Sequence, residues 1–380
     1  MNNTRIAWLL TSAAYYWHPM LGELAKLFPQ TTAFSANWRG YASGFEDSFN
    51  IEVVGERKVI PIIKDSKSYG TNFTYLPLNI VNRLLKFKPN VIFSNSFGLW
   101  TLLALIFKPL GRWQVVIAYE GSSPGVDYRN SPPRLAMRKI MLNAADACIT
   151  NSYAGKDYLT KVLQADKNRV LVQPYEVPDA NSMLANNSPT DEITSSVKGP
   201  IFIFVGQVTP RKGLHLLLEA CSELAKQGCY DYTLQIIGDG PQLQELKEFC
   251  EKNNLTNSVQ WVGRVDYSQL GEYFSKADVF ILPTLEDTWG MVVLEAMVLG
   301  KAILCSKWAG ASELVIDGEN GYRFDPYKSE EVTELMRQFI NNSEIAIPMG
   351  EKSQQLMKNK YTPEAAAKFL AEVTSLVLGD

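Results

Sequence analysis

The sequence predicts an α/β protein built from two doubly wound parallel sheets. Three observations carry that expectation. The chain has 380 residues, more than one ordinary core organises, so two domains of about 150–200 residues are expected. Short apolar runs such as Ile201–Val205 (IFIFV) and Val279–Leu282 (VFIL) alternate with segments of helical spacing, the pattern of parallel strands buried on both faces. The alternation breaks at Pro174–Pro200, a stretch rich in Pro, Asn, Ser and Thr, and then restarts. That stretch is expected to be an interdomain linker.

In chain order, Arg5–Leu10 is an apolar run followed by the loop Thr11–His18, and Pro19 is placed to start a helix ending at Pro29. Thr31–Phe34, Ile51–Val54 and Lys58–Ile63 read as strands. Tyr75–Lys86 is helical by spacing, with Leu76, Ile80, Leu84 and Phe87 on one stripe. Val91–Ser94, Gln114–Tyr119, Ala147–Thr150 and Val170–Val172 are expected strands. Helices are expected at Phe97–Phe107 and Arg134–Ala145, and from Ser152 to Ala165. After the break, strands are expected at Ile201–Val205, Thr233–Ile237, Val259–Val262, Val279–Leu282, Ala302–Cys305 and Tyr322–Phe324, with helices between them. Thr362-Pro363-Glu364 caps a last helix, Pro363–Leu378.

Composition removes several function classes. A formal net charge of −3 argues against a nucleic-acid partner. Five scattered cysteines with no CxxC pair read as reduced thiols of a cytoplasmic protein, and two histidines exclude a His-rich metal site. The N-terminal segment has too short an apolar core for a signal peptide. The longest apolar run, Leu99–Phe107, is far short of a membrane span.

Asp278–Gly300 (DVFILPTLEDTWGMVVLEAMVLG) is the most informative stretch. A strand ends at Pro283, a polar loop follows, and a helix of about Gly290–Leu299 is apolar from Met291 onward except at Glu295. Such a helix is buried, and a buried carboxylate needs partners. Asp287 stands eight positions earlier, a little over two helical turns, near a helix N-terminus that favours anionic and hydroxyl-rich ligands. Vicinal hydroxyls of a sugar or a ribose suit two such acids; a core ion pair with a capping Asp is the plainer alternative. Three more loops follow strands of the same sheet. Gly206-Gln207-Val208-Thr209-Pro210-Arg211-Lys212-Gly213 sets two cations beside a helix start, an anion site without Walker spacing. Gly238-Asp239-Gly240-Pro241 offers glycines that let a ligand approach the backbone, or a tight turn into a helix. Gly263-Arg264-Val265 is the third. Loops at strand carboxyl ends are where parallel sheets bind ligands, and cations with carboxylates there describe a nucleotide-sugar pocket.

VGQVTPRKGLHLL, IIGDGP, WVGRV, ADVFILPT, EDTWGMVVLEAMVLGKAILCS and AGASELVIDGENGYRF resemble, in order, the second half of retaining glycosyltransferases of the GT-B fold, family four (glycosyl transferases group 1). The resemblance is specific over Ile201–Asp325 and architectural before it. It implies two Rossmann-like domains facing across a cleft: 1–175 on the acceptor side, a linker at 176–200, and 201–360 binding the nucleotide sugar, with the helix within 363–380 packing back onto the first. It implies transfer of a hexose from a nucleotide-diphosphate sugar, UDP or GDP, to a glycan, lipid-linked or small-molecule acceptor. No cofactor and no metal would be required, since there is no Asp-x-Asp cluster. The setting would be cytoplasmic, with peripheral contact at the inner face of a membrane as an option.

Residue by residue, the resemblance places Asp287, here in place of the family's Glu, at the donor sugar hydroxyls and Glu295 at the ribose diol. Lys212 would neutralise the departing diphosphate. The family's Arg falls at Gln207, leaving Arg211 as its substitute. Gly206, Gly238, Asp239, Gly240, Arg264, Val265, Thr288, Trp289, Gly290, Met291 and Val292 complete the donor side. In the first domain Glu120 stands where the family carries His, and Ser12-Ala13-Ala14 replaces its glycine-rich loop. Ser12, Ala13, Asn95, Tyr119 and Glu120 are the acceptor-side candidates, with Glu120 and His18 as candidate acid/base groups; a packed or capping His18 is the plainer alternative. Arg134, Arg138 and Lys139 form either a solvated face or a lipid contact. Two rival functions stay open: a sugar-nucleotide epimerase, and a non-catalytic subunit that binds a nucleotide sugar or glycan.

Overall fold

The computed structural model describes residues 3–63, 69, 71–184 and 199–379. Contacts divide the described residues between two compact units: those of Met1–Lys64, Gly70–Pro178 and Tyr361–Asp380 in the first, and Tyr69 with those of Asp179–Lys360 in the second.

The first unit is a seven-stranded parallel sheet. Its strands are β1 (Arg5–Leu10), β2 (Gln30–Ser35), β3 (Asn50–Val53), β6 (Val91–Asn95), β7 (Gln114–Tyr119), β8 (Ala147–Thr150) and β9 (Val170–Val172), in the order β3-β2-β1-β6-β7-β8-β9. A separate antiparallel pair joins β4 (Lys58–Ile63) to β5 (Thr71–Tyr75). The chain order reverses between β1 and β6, and the loops leaving their carboxyl ends diverge there. Ile6–Leu10 and Val115–Tyr119 are essentially without solvent exposure, as expected of strands covered by helices on both faces. Pro363–Leu378 is a helix of this unit, and the side-chain amide of Gln173 donates to the Ala365 carbonyl at 3.1 Å.

The second unit is a six-stranded sheet of β10 (Ile201–Val205), β11 (Thr233–Ile237), β12 (Val259–Gly263), β13 (Val279–Leu282), β14 (Ala302–Ser306) and β15 (Gly321–Phe324), in the order β12-β11-β10-β13-β14-β15. All its pairings are parallel. Here the switch lies between β10 and β13, whose pairing sets Phe202 against Val279 and Ile203 against Phe280. That adjacency brings the loop after β10 and the loop after β13 side by side.

Two expectations are corrected. Tyr75–Lys86 is not one helix: Thr71–Tyr75 pairs with β4, and the helix spans Ile80–Phe87. Pro77 explains the late start, because the residue before a proline is pushed out of the helical region; the buried stripe of Ile80 and Leu84 survives. The linker is shorter than 176–200. Glu176 and Val177 are buried in the first unit, and Ala180–Leu184 is a helix of the second. Apolar Val177 and Met183, each fully buried, anchor those ends. The part of the expected linker at 185–198 lies outside the described residues.

Candidate functional site

In the second unit the loop after β10 makes one tight turn, Pro210–Lys212, and closes on Gly213. Gly213 has φ +69°, and a β-carbon there would lie 2.0 Å from the Pro283 carbonyl oxygen. Only glycine lets the loops after β10 and β13 approach this closely. The Leu285 amide and the Thr284 hydroxyl then donate to the Arg211 carbonyl at 2.8 and 3.2 Å. This clamp fixes the two cations against the loop that carries the acid.

Lys212 Nζ sits 2.5 Å from Asp287 Oδ2, and Arg211 Nη1 lies 4.0 Å from the same oxygen while donating to the Glu286 carbonyl at 2.8 Å. Burial pushes the Asp287 carboxyl up, but Lys212, Arg211 and the Tyr69 hydroxyl together hold it below the ordinary carboxylate value. The Asp287 backbone is fixed too, donating to the Trp308 carbonyl and accepting from Gly310 N–H, each at 3.1 Å. Thr288 follows, then Trp289 and Gly290, whose φ of +90° starts the helix Met291–Val298. Thr288, Met291 and Val292 are half-buried around that helix start, where backbone N–H groups concentrate.

Glu295 is buried on this helix and hydrogen-bonded by the Tyr267 hydroxyl. Burial raises its carboxyl to about 7. One acid of the pair is therefore held ionised by cations, and the other is poised near neutrality.

Other donor-side candidates fall differently. A β-carbon on Gly238 would lie 1.8 Å from the Gly206 carbonyl oxygen, and one on Gly240 2.3 Å from that of Val208. The glycines of Gly238-Asp239-Gly240 thus admit a neighbouring loop, which by itself accounts for glycine at these two positions. Gln207, Asp239 and Arg264 are exposed and Val265 is half-buried. Gln207 supplies no positive charge, and Arg211 is the second cation at Asp287. Trp289 is 2% exposed, so its indole is core rather than a stacking surface.

In the first unit the sheet gathers polar groups beyond β6, β7 and β8. The Asn95 amide donates to Glu120 Oε1 at 3.2 Å. Asn151 Oδ1 accepts from the backbone N–H groups of Tyr175 and Glu176 at 2.9 and 3.3 Å. Glu176 is 2% exposed, and burial, then the charge of Glu120, raises its carboxyl well above the ordinary value. Tyr16 faces the same two acids, and burial followed by their charges raises its phenol. Ser12 and Ala13 are tied to the loop after β2: the Asn37 amide donates to the Ser12 hydroxyl at 3.2 Å, and Ala13 N–H to the Asn37 carbonyl at 3.1 Å.

Three candidates of this unit are corrected. His18 is fully buried, its Nδ1 accepts the Ala42 N–H at 3.0 Å, and Tyr15, Trp38, Tyr41, Phe45 and Phe49 surround it. Burial lowers it to about 4, so a neutral packing histidine replaces the acid/base group. Tyr119 spends its hydroxyl on Asp127 at 2.6 Å inside a network with Arg129 and Ser122. Arg138 is neither solvated nor lipid-facing: it is 8% exposed and donates to the carbonyls of Asp127 and Val126 and to the Tyr158 hydroxyl.

The sequence missed Tyr69, Tyr267 and Glu176. Tyr69, more than two hundred positions before Asp287, donates its hydroxyl to Asp287 Oδ1 at 3.3 Å and accepts the Thr288 N–H at 3.2 Å. The Arg211 guanidinium lies 4.2 Å from the centre of its ring. Glu176 did carry a signal, a lone acid between Tyr175 and Val177.

Residues 190–361 match the glycosyl transferases group 1 family. An uncharacterized glycosyltransferase of Methanocaldococcus jannaschii, MJ1178, is 27% identical over 228 residues, 58% of this chain and 63% of that protein. The alpha-D-kanosaminyltransferase of Streptomyces kanamyceticus is 26% identical over 174 residues, 46% of this chain and 45% of that protein. The aligned stretch therefore spans about half to two thirds of these curated relatives. Among solved structures, Anabaena Alr3699/HepE in complex with UDP is 19% identical, with a TM-score of 0.75 over 98% of this chain and 100% of that one; the same protein is also known with UDP-glucose. The fold is that of GT-B glycosyltransferases, two Rossmann-like α/β domains with parallel sheets, and the second unit carries a glycosyl transferases group 1 domain.

Proposed function

We propose that the chain is a retaining, metal-independent glycosyltransferase that moves a hexose from a nucleotide-diphosphate sugar to a glycan, lipid-linked or small-molecule acceptor. The observation that carries the reading is Lys212 and Arg211 converging on Asp287 beside the start of Met291–Val298, with Glu295 buried on that helix. Lys212 and Arg211 face the diphosphate and hold the charge that develops as it departs, the task a metal performs in other transferases. Asp287 orients the sugar by its hydroxyls and Glu295 receives the ribose diol. The match at 190–361 and the likeness to a protein solved with UDP-glucose support a UDP or GDP sugar as the donor.

The first unit supplies the acceptor side, with Glu120, Asn95 and Glu176 around the acceptor hydroxyl. Retention at the anomeric carbon is proposed from the resemblance of the Asp287–Glu295 segment. No helix among the described residues is long and apolar enough to cross a membrane. We place the protein in the cytoplasm, at a membrane surface when the acceptor is lipid-linked.

Release of nucleoside diphosphate from UDP- and GDP-hexoses, with and without sugar acceptors and with chelator present, tests this. Acceptor-stimulated release that survives the chelator, with the product's anomeric configuration retained by proton NMR, is expected. Binding of a nucleotide sugar with no turnover on any donor would support a non-catalytic subunit instead.

A further inference from the structure

Tyr69 occupies the place the proposed function gives to the donor. Four groups assigned to the sugar and diphosphate are Arg211, Lys212, Asp287 and Thr288, and the tyrosine engages three of them directly. Its hydroxyl donates to Asp287 Oδ1 at 3.3 Å, accepts the Thr288 N–H at 3.2 Å and lies 3.5 Å from Thr288 Oγ1. The fourth, Lys212, holds the other carboxylate oxygen of Asp287. A hydroxyl that donates to a carboxylate while accepting a backbone N–H makes the hydrogen bonds a sugar hydroxyl would make there. The ring meanwhile engages the Arg211 guanidinium as a cation–π partner at 4.2 Å; a diphosphate oxygen would meet the same cation at its N–H groups.

We infer that Tyr69 is an internal stand-in for the donor: its phenol fills the sugar-hydroxyl position at Asp287 and Thr288 and covers Arg211, so that a nucleotide sugar binds only by displacing it. Burial, then the charge of Asp287, raises the phenol, so it keeps its proton and remains a donor. With the contact in place both Asp287 and Arg211 have partners on several sides. Asp287 has two cations and a hydroxyl, and Arg211 has a carbonyl and a ring. The cost appears in affinity. The apparent dissociation constant rises as the fraction of molecules with the site free falls.

The inference rests on the donor reading, and its test separates the two. UDP-glucose, GDP-mannose and UDP are titrated by calorimetry into the wild type and into Tyr69→Phe and Tyr69→Ala, whose folding is checked by thermal melting. Phenylalanine keeps the ring and removes both hydrogen bonds. It should tighten the bound nucleotide sugar about threefold to tenfold, the range for one or two net hydrogen bonds, and alanine should tighten it further. Unchanged or weakened binding in both variants overturns the inference and leaves the donor reading standing, weakened binding marking Tyr69 as a direct donor contact.

Hydrogen–deuterium exchange of the peptide carrying Thr288, without ligand, supplies a readout that needs no donor. Exchange should be faster in Tyr69→Phe than in the wild type, and equal rates overturn the contact. If no nucleotide sugar binds any of the three proteins while the exchange difference is present, the donor reading falls and the inference with it, the contact being structural only.

Discussion

In the second unit Asp287 lies against Lys212 and Arg211 and stays ionised; in the first, Glu176 is buried beside Glu120 and is held toward its neutral form. Both acids stand beyond the carboxyl ends of parallel strands, in loops that the sheet order brings together. The difference is what compensates burial. Cations next to Asp287 make a site with separated fixed charges, ready to meet a charged leaving group. A carboxyl group that keeps its proton makes a site able to exchange one with a hydroxyl. Glu295 falls between the two: burial raises it and the Tyr267 hydroxyl pulls it part of the way back, to about 7.

The largest expected effect breaks the cation-compensated side. Lys212→Ala should lower kcat by about a hundredfold to a thousandfold, the usual loss when one preorganised charge-stabilising group is removed, with a smaller change in KM. Steady-state release of nucleoside diphosphate measures it. A loss under tenfold would mean that Lys212 serves Asp287 and not the reaction.

Next comes stability at pH 7. Asp287→Asn strands the half-buried Lys212 and should cost about 3–5 kcal/mol in urea denaturation, the range for breaking a buried pair. Glu176→Gln replaces a group already held neutral and should change stability by no more than about 1 kcal/mol. Equal losses would remove the contrast. The pH dependence of Asp287 has the opposite sign to that of Glu176. Its folded pKa is lowered, so its contribution is present above the unfolded value near 3.8 and is lost as pH falls through the folded one.

Glu295 sharpens the comparison. Its folded value, about 7, lies above the unfolded value of 4.5, so between them the folded state binds more protons. Stability from this group is complete below about pH 4.5 and is lost as pH rises through about 7, up to about 3 kcal/mol in all. Glu295→Gln should flatten that part of the curve and leave the ligand-free protein more stable than the wild type at pH 8. The same substitution should weaken donor binding by calorimetry. A wild-type curve without that slope would mean that Glu295 is ionised and paired in solution.

How much of this was legible in the sequence follows from the range of the interactions. The alternation of strands and helices comes from local patterns, Glu295 stands out as the one charge of an apolar helix, and Asp287 as an acid in the polar loop before it; the switch between β10 and β13 is set by strand order, which no local pattern carries. Lys212 was readable because its glycine loop follows the apolar strand Ile201–Val205 directly and because the resemblance places a lysine there. Tyr69 was not: its partners lie 218 and 219 positions away, and no local pattern marks it. The sequence leaves two roles open for Gly238 and Gly240, because a glycine that admits a ligand and one that admits another loop look alike until the second loop is placed. Glu176 was hidden by the prolines around it, which resemble a linker although the segment packs into the first unit.

The smallest expected effect concerns His18, the one titratable ring the sequence offered as an acid/base group near the first loop. Its imidazole is buried among five aromatic rings and is lowered to about 4 by that burial. For a base with a lowered folded value the unfolded chain binds the extra proton, so stability is lost as pH falls from about 6.5 toward about 4. His18→Phe keeps the packing and removes the acceptor for the Ala42 N–H, which should cost about 1 kcal/mol at pH 7 and should lessen the loss of stability in acid. Turnover at saturating substrate should stay within about twofold, because a fully enclosed ring is out of hydrogen-bond reach of a substrate. A fall in kcat of tenfold or more with an unchanged melting temperature would return His18 to the chemistry, and would shift the acid/base role in the first unit away from Glu120 and Glu176.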